Sequence, residues 1–463
     1  MNKTDRLFLN ILGRALKGQS SSLPAGMTDD EKLQLFRLAD AHNVLPIICD
    51  ALTDFTEPSP AADKNTVKKD HGSDKISVTI DHGPDKNFMA TGHEPDKDFV
   101  ATDHDPDKNS VATGHDSVIE RYRDIAVKHI CVQIEKNARF LERYDVLRKN
   151  GISPLIVKGL VCMQLYPKPY CRLSTDEDLL IAPSELRKTD QVLRNLGLSY
   201  MNPHADILSD FEVSYCRNPE YYEIHTSLFD PEDSFFGKFN RCFDGIHERA
   251  VSLDIDGFTV LTPCPTDHLL FLLLHAFKHF LYSGFGVRQV CDISLFAERY
   301  GREIDWDRIT AVLKEAHAED FAAAIFRIGT KYLSGNPIPD TLLSGTDEGP
   351  LLEDILSSGS LGANDMNRLH SSSITLEAVR SGTEGDAHKG SGRLRLLFPP
   401  VSYLKARYPY LTRHPYLLPA AWAARLVHYA KDNLTGNNKE SAAMALQIGK
   451  SRTELLRKYH VIP

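Results

Sequence analysis

The chain has 463 residues, enough for two or three domains. Hydrophobic residues make up 42% and charged residues 25%, the balance of a soluble globular protein and not of a disordered or membrane-embedded one. The formal net charge of −9 excludes an overall basic footprint for nucleic acid, although a small anionic ligand would need only a local cluster of cations.

Residues 1–56 predict an N-terminal helical region. Leu7, Leu9, Ile11, Leu12 and Leu16 mark one amphipathic segment, and Thr28 with Glu31 forms a capping box for a second that carries Leu33, Leu35, Phe36 and Leu38. The first 19 residues lack the apolar core of a signal peptide. No uncharged apolar run reaches the roughly 18 residues that a membrane span needs. The nearest candidate, "YLLPAAWAARLVHYA", is interrupted by Arg425 and His428. The eight cysteines form no CxxC pair, and several sit in apolar runs, as Cys49 and Cys291 do. These features together predict a cytoplasmic protein in a reducing compartment that makes no membrane contact.

Residues 57–116 form an 11-residue tandem repeat. His71, His82, His93, His104 and His115 keep the step, and Asp–Lys pairs follow it. Pro84, Pro95 and Pro106 break any helix, and each unit offers too few apolar side chains for a packed solenoid. The expectation is a disordered, solvated insert of duplicated loop units.

Residues 117–262 predict a long helix followed by a small α/β core. Ile119, Tyr122, Ile125, Ala126, Ile130, Ile134, Phe140, Leu141, Tyr144 and Leu147 give the helix, which stops at Asn150–Gly151. "PLIVKG" (154–159) reads as a buried strand, "LVCMQLY" as the start of a helix, and "EDLLIA" (177–182) as a second strand. A helix over 183–196 follows, and then "FEVSYCR" and "YYEIHTSL" as an antiparallel pair joined by "RNPE". Residues 263–333 predict a helical domain, 334–395 a loose linker and 396–463 a C-terminal helical segment. The fold class is α+β: a small mixed β-sheet flanked by N-terminal and C-terminal helical regions.

The candidate chemistry centres on "RLSTDEDLLI". In an extended chain Asp176 and Asp178 point to the same face, and two such carboxylates repel unless a cation lies between them. Hard divalent cations such as Mg²⁺ take carboxylate oxygens and share them with phosphates. Glu223 lies in an apolar strand, where alternation places it on one face with His225 and leaves Tyr222 and Ile224 on the other; it is the candidate third carboxylate of a two-metal site. Gly159, between strand and helix, would let a ligand approach the backbone closely, and Lys158 and Arg172 supply positive charge nearby. Glu177 points away from the aspartates; it either reaches solvent at the strand's start or marks a relaxed, inactive site. His275 and His279 at i, i+4 could chelate zinc, but a structural or phosphate-contacting role fits their helix better. Asp292 reads as a helix ion pair with Arg288.

The stretch from "PLIVKG" through "STDEDLLI" to "LRNLGL" resembles the core of uncharacterised bacterial nucleotidyltransferases, a branch of the DNA polymerase beta-like superfamily. The resemblance continues through Glu223-x-His225, through His275, Lys278 and His279 in "LLLHAFKHFL", and through Arg288 and Asp292 in "VRQVCDISLF". It implies that Asp176, Asp178 and Glu223 ligand Mg²⁺, two ions by the superfamily's habit. Gly159 would lie against the phosphates of an NTP substrate, with Lys158, Arg172 and Lys278 or Arg288 as further nucleotide contacts. The implied activity is transfer of a nucleoside monophosphate from an NTP to an unidentified acceptor: a small molecule, a sugar, a protein or an RNA end. The sequence departs from the pattern at Glu177, where the resemblance expects an apolar residue, and at Ser174–Thr175, where glycine is frequent. The alternative is a catalytically inactive protein of the same fold that serves as a binding or regulatory module.

Overall fold

A computed structural model describes residues 1–55, 117–201, 207, 210–217, 220–282, 284–333, 338–339, 342, 345–358, 404, 408, 410–424 and 451–462. The 11-residue repeats of 57–116 lie outside the described residues. The chain divides into two compact units: Met1–Thr53, Asp96–Lys389 and Asn438–Pro463 form the first, and Asp54–Pro95 with Gly390–Asn437 forms the second.

The first unit opens with α1 (Lys3–Ala15), α2 (Asp29–Ala41) and α3 (Leu45–Thr53). Asn2 and Asp5 close a capping box on α1, and Thr28 and Glu31 close the expected one on α2, so both helices start with their first amides satisfied. The three helices pack with each other, and α2 and α3 pack on α4 (Ser117–Lys149), where Phe36 stacks on Tyr122 at 4.8 Å between ring centres. The buried stripe of α4 runs through Tyr122, Ala126, Ile130, Gln133, Lys136, Phe140, Tyr144 and Leu147. Ile134, expected on that stripe, is instead 45% exposed. The stripe takes two polar residues in its place because they have bonds to make on the sheet side, described below.

The sheet has seven strands: β1 (Leu155–Val157), β2 (Glu177–Leu180), β3 (Ser199–Tyr200), β4 (Glu212–Arg217), β5 (Glu220–His225), β6 (Val251–Ile255) and β7 (Phe258–Thr262). Their order is β3-β4-β5-β2-β1-β7-β6. The β1–β7 and β2–β5 pairs are parallel and the others antiparallel, which makes the sheet mixed, as expected. Two short helices, α5 (Gly159–Met163) and α6 (Leu186–Asn195), complete the α/β core. Phe140, Tyr144, Leu147, Ile156, Leu179, Tyr215, Tyr222 and Ile224 share one buried cluster, so one face of the sheet packs on α4.

The helices that follow are α7 (Pro265–Tyr282), α8 (Val287–Tyr300), α9 (Trp306–Glu315) and α10 (Glu319–Ile328), the last running into a π-helical turn, Gly329–Leu333. Nearly every residue of α7 is buried, so it forms the axis of this region and its histidines face protein. The stretch 334–395, expected to be loose, carries α11 (Gly349–Ser358), whose Leu351 amide donates to the Tyr459 hydroxyl at 3.0 Å. Leu351, Leu352 and Ile355 are buried, which gives α11 an apolar side to pack. Tyr459 follows a helix over 451–458. In the second unit, Leu404, Leu411 and Ala421 form a small core with Tyr408, Leu418 and Trp422 around a turn of helix, Tyr410–Arg413. Among the described residues no helix is long and apolar enough to cross a membrane. All eight cysteines are unpaired.

Candidate active site

The parallel β2–β5 ladder sets Asp178 beside Glu223 and Leu180 beside His225. Because strand side chains alternate, Asp178, Glu223 and His225 share one face, while Glu177, Leu179, Tyr222 and Ile224 turn to the other. Ligand atoms of Asp178, Glu223 and His225 all lie within 4.8 Å of one another. Among the described residues this is the one group so placed. Two carboxylates and an imidazole fit one divalent cation: the oxygens suit Mg²⁺, and the nitrogen suits Mn²⁺ or Zn²⁺ better.

Asp176 sits one residue ahead of β2, so the aspartates do not both lie within the strand. It borders a small recess with Thr175, Ser214, Tyr221 and Glu223. It also borders, with Asp178, a larger open cleft. Lys158, Gly159, Arg172, His275 and Arg288 line the same cleft. Of the eight residues singled out in the sequence, Lys278 is the one that borders neither space; it lies half-buried on α7, three residues beyond His275.

Asp178 is almost fully buried and both its oxygens are engaged. Oδ2 lies 3.1 Å from Lys158 Nζ, and Oδ1 lies 3.1 Å from His225 Nε2. Burial would raise its pKa, but Lys158 and His225 outweigh burial and hold it below the usual carboxylate range. His225 Nε2 is also 3.8 Å from Glu223 Oε2, and its Nδ1 is 3.8 Å from Glu212 Oε2 on β4.

Lys158 has φ 59° and ψ −124°, a left-handed conformation rare outside glycine. Its backbone N–H donates to His268 Nε2 at 3.1 Å. His268 Nδ1 lies 3.2 Å from Thr262 Oγ1, which donates to the Ile156 carbonyl at 2.9 Å. This network needs the neutral imidazole, and burial pushes the His268 pKa down to about 3. The Lys158 side chain turns back so that Nζ reaches His275 Nε2 at 3.2 Å as well as Asp178. His275 Nε2 in turn lies 3.2 Å from His279 Nε2. The α7 histidines thus continue the Lys158 array, and among the described residues no third metal ligand joins them.

Glu177 corrects an expectation. It does not reach solvent: it is 1% exposed, with Oε2 only 2.6 Å from where a Cβ on Gly159 would stand. Gly159, at φ +27°, is therefore favoured by backbone geometry, and any side chain there would also have to displace the Glu177 carboxylate. Burial pushes the Glu177 pKa up to about 7, against the pull of Lys136, whose Nζ is 3.7 Å away. Lys136 also donates to the carbonyls of Ser174 at 3.0 Å and Thr175 at 2.5 Å, and Gln133 Oε1 accepts from the Ser174 amide at 2.7 Å. Together they tie the loop that carries Asp176 to α4. Their signal in the sequence is two polar residues on an otherwise apolar helical stripe.

Asp292 corrects another. It pairs not with Arg288 but with Arg172, which donates to it twice, from Nη2 at 2.7 Å and Nε at 3.2 Å. The Tyr166 hydroxyl completes the group at 2.7 Å. Burial opposes the charge on Arg172, yet Asp292 raises its pKa above the ordinary arginine value. Arg288 donates to the Leu173 carbonyl; burial, and after it the charge of Arg172, lowers its pKa. The cleft therefore has an acidic side on the sheet and a cationic side from the β1–α5 junction and α8.

No match was found among curated proteins or among solved structures. Residues 120–334, from α4 to just beyond the π-helical turn, match the model of the family described as uncharacterised nucleotidyltransferase.

Proposed function

We propose that the chain transfers a nucleoside monophosphate from an NTP to an acceptor in a reaction that depends on Mg²⁺, with two ions held at Asp176, Asp178 and Glu223. The observation that carries this reading is the register of β2 on β5, which pairs Asp178 with Glu223 on the polar face of the sheet, with the cationic wall of the cleft beside Asp178. Bound there, divalent cations would neutralise phosphate charge and polarise the α-phosphorus. The chain's own groups do the rest. Gly159 lets the phosphates approach the backbone. Lys158 and Arg288 meet their negative charge, and Lys278 adds a cation on α7. Arg172 acts at the same wall, with its guanidinium set by Asp292. The acceptor oxygen forms its bond to the α-phosphorus, the bond to the leaving pyrophosphate breaks, and the acceptor's proton departs to solvent.

The test is incubation of the full-length protein with labelled NTPs, Mg²⁺ and a cell extract. Label should pass to an acceptor, and Asp176→Ala with Asp178→Ala should abolish the transfer. No transfer, or transfer that survives both substitutions, would overturn the reading. A second reading, a fold retained for nucleotide binding or regulation alone, draws on the carboxylate of Glu177 where the resemblance expects an apolar side chain. Nucleotide binding by the wild-type protein without transfer would favour it.

A further inference from the structure

A lysine in a left-handed backbone conformation invites the question of what its side chain does there. Glycine would adopt φ 59° without strain, and glycine is the next residue in the chain. The conformation of Lys158 is held by the His268–Thr262–Ile156 network beneath it, so it is built in and not incidental. Its effect is to send Nζ back to Asp178 Oδ2, with His275 Nε2 and the Phe271 ring, 5.7 Å from its centre, as the other walls. The ammonium thus stands where a cation bound to Asp178 from the cleft would stand. His225 occupies the other oxygen of Asp178 and does not border the cleft, whereas Lys158 does.

We infer that Lys158 is the resident counter-ion of Asp178: with no substrate bound its ammonium fills the cation position, and a divalent cation reaches Asp178 only by displacing it. The displaced ammonium, on a flexible four-carbon stem and already at the cleft, then pairs with the incoming phosphates. Cation and anionic substrate are therefore taken up together, because each removes the cost the other would meet alone: the metal no longer repels a neighbouring ammonium, and the ammonium is not left without an anion. This rests on the assignment of Asp178 as a cation ligand in the proposed reaction.

The experiment is a titration of the full-length protein with Mn²⁺ alone, followed by the electron paramagnetic resonance of free Mn²⁺. Lys158→Met should bind Mn²⁺ roughly tenfold or more tightly than wild type, since a like charge has left the site. Lys158→Gly should do the same while relieving the backbone, which guards against a variant that merely misfolds. Adding Asp178→Asn to either variant should erase the gain. Equal or weaker Mn²⁺ binding by folded Lys158→Gly, or a gain that survives Asp178→Asn, would overturn the inference. The titration contains no nucleotide. Tighter Mn²⁺ binding without any label transfer would therefore keep the role of Lys158 and reject the transferase, and transfer with unchanged Mn²⁺ affinity would reject the role of Lys158 alone.

Discussion

Asp176 and Asp178 are two residues apart and are assigned one task, yet their surroundings make them separable. Asp176 is half-buried at the rim of the cleft, whereas Asp178 is 2% exposed and bonded to both Lys158 and His225. Removing one partner of a buried pair leaves the other charge uncompensated, at a cost of about 3 kcal/mol or more. Asp178→Ala should therefore lower unfolding stability in urea by about that amount, while Asp176→Ala changes it by no more than about 0.5 kcal/mol. Both should abolish transfer. Equal stability losses would contradict the buried pairing of Asp178. The shared face of Glu223 and His225 was legible from spacing alone, because period two is a local property of an extended chain, whereas the expected shared face of Asp176 and Asp178 was not met within the strand, since β2 begins only at Glu177. The engagement of Asp178 was not, because Lys158 reaches it only through a backbone conformation that no propensity of lysine foretells.

At the scale of elements, α4 does more than cover the sheet. Lys136 binds the two carbonyls ahead of Asp176 and pairs with Glu177 behind it, so one helix fixes both ends of the turn into β2. Lys136→Met should loosen that turn, reducing turnover more than nucleotide affinity, and should destabilise the fold by about 2 kcal/mol because the Ser174 and Thr175 carbonyls lose their donor, while Glu177 loses its cation and takes up a proton. Glu177→Leu, which supplies the apolar residue that the resemblance expects, should be neutral or raise stability by about 1 kcal/mol. In the double variant the stability loss should be smaller than the sum of the single effects, and a double-mutant cycle on urea unfolding with coupling near zero would refute the pairing. The elements themselves were largely readable: the capping box of α2, the β4–β5 hairpin and helices α7 to α10 follow from local pattern. What was not readable is which residues meet. Arg172 lies four residues ahead of the DxD pair, and Asp292 lies 120 residues beyond Arg172; only the packing of α8 against the core brings Arg172 and Asp292 together, where spacing within the helix had suggested Arg288. The helix α11 was passed over because its surroundings are rich in glycine and serine, although Leu351, Leu352 and Ile355 carried a helical pattern.

Across the first unit as a whole, two buried histidines act as acceptors at the joins between its parts. His42, at the end of α2, accepts the Val287 amide at the start of α8 through Nδ1 at 3.3 Å. His268 accepts the Lys158 amide and so joins α7 to the sheet. Each bond requires a lone pair that protonation removes. Burial pushes His42 from 6.5 down to about 4, and His268 from 6.5 down to about 3. With pKa values lower in the folded than in the unfolded state, the unfolded chain binds more protons wherever pH falls below about 6.5, so the folded state loses ground on acidification. The stabilisation is whole above pH 6.5 and is lost progressively down to about pH 4 for His42 and about pH 3 for His268. At pH 5 each histidine accounts for about 2 kcal/mol of the loss. Urea unfolding at pH 7 and pH 5 should therefore reveal a fall of about 4 kcal/mol from these two groups, once the opposing gain of about 2 kcal/mol from buried Glu177, which takes up its proton in the folded state as pH falls through about 7, is allowed for. Replacing His42 with Asn, which keeps an acceptor but cannot titrate, should remove about half of that pH-dependent difference whatever it does to stability at pH 7. If the pH 7 to pH 5 difference is unchanged in His42→Asn, the imidazole at that join is not held neutral by burial, and the account of how α2 is fastened to α8 fails with it.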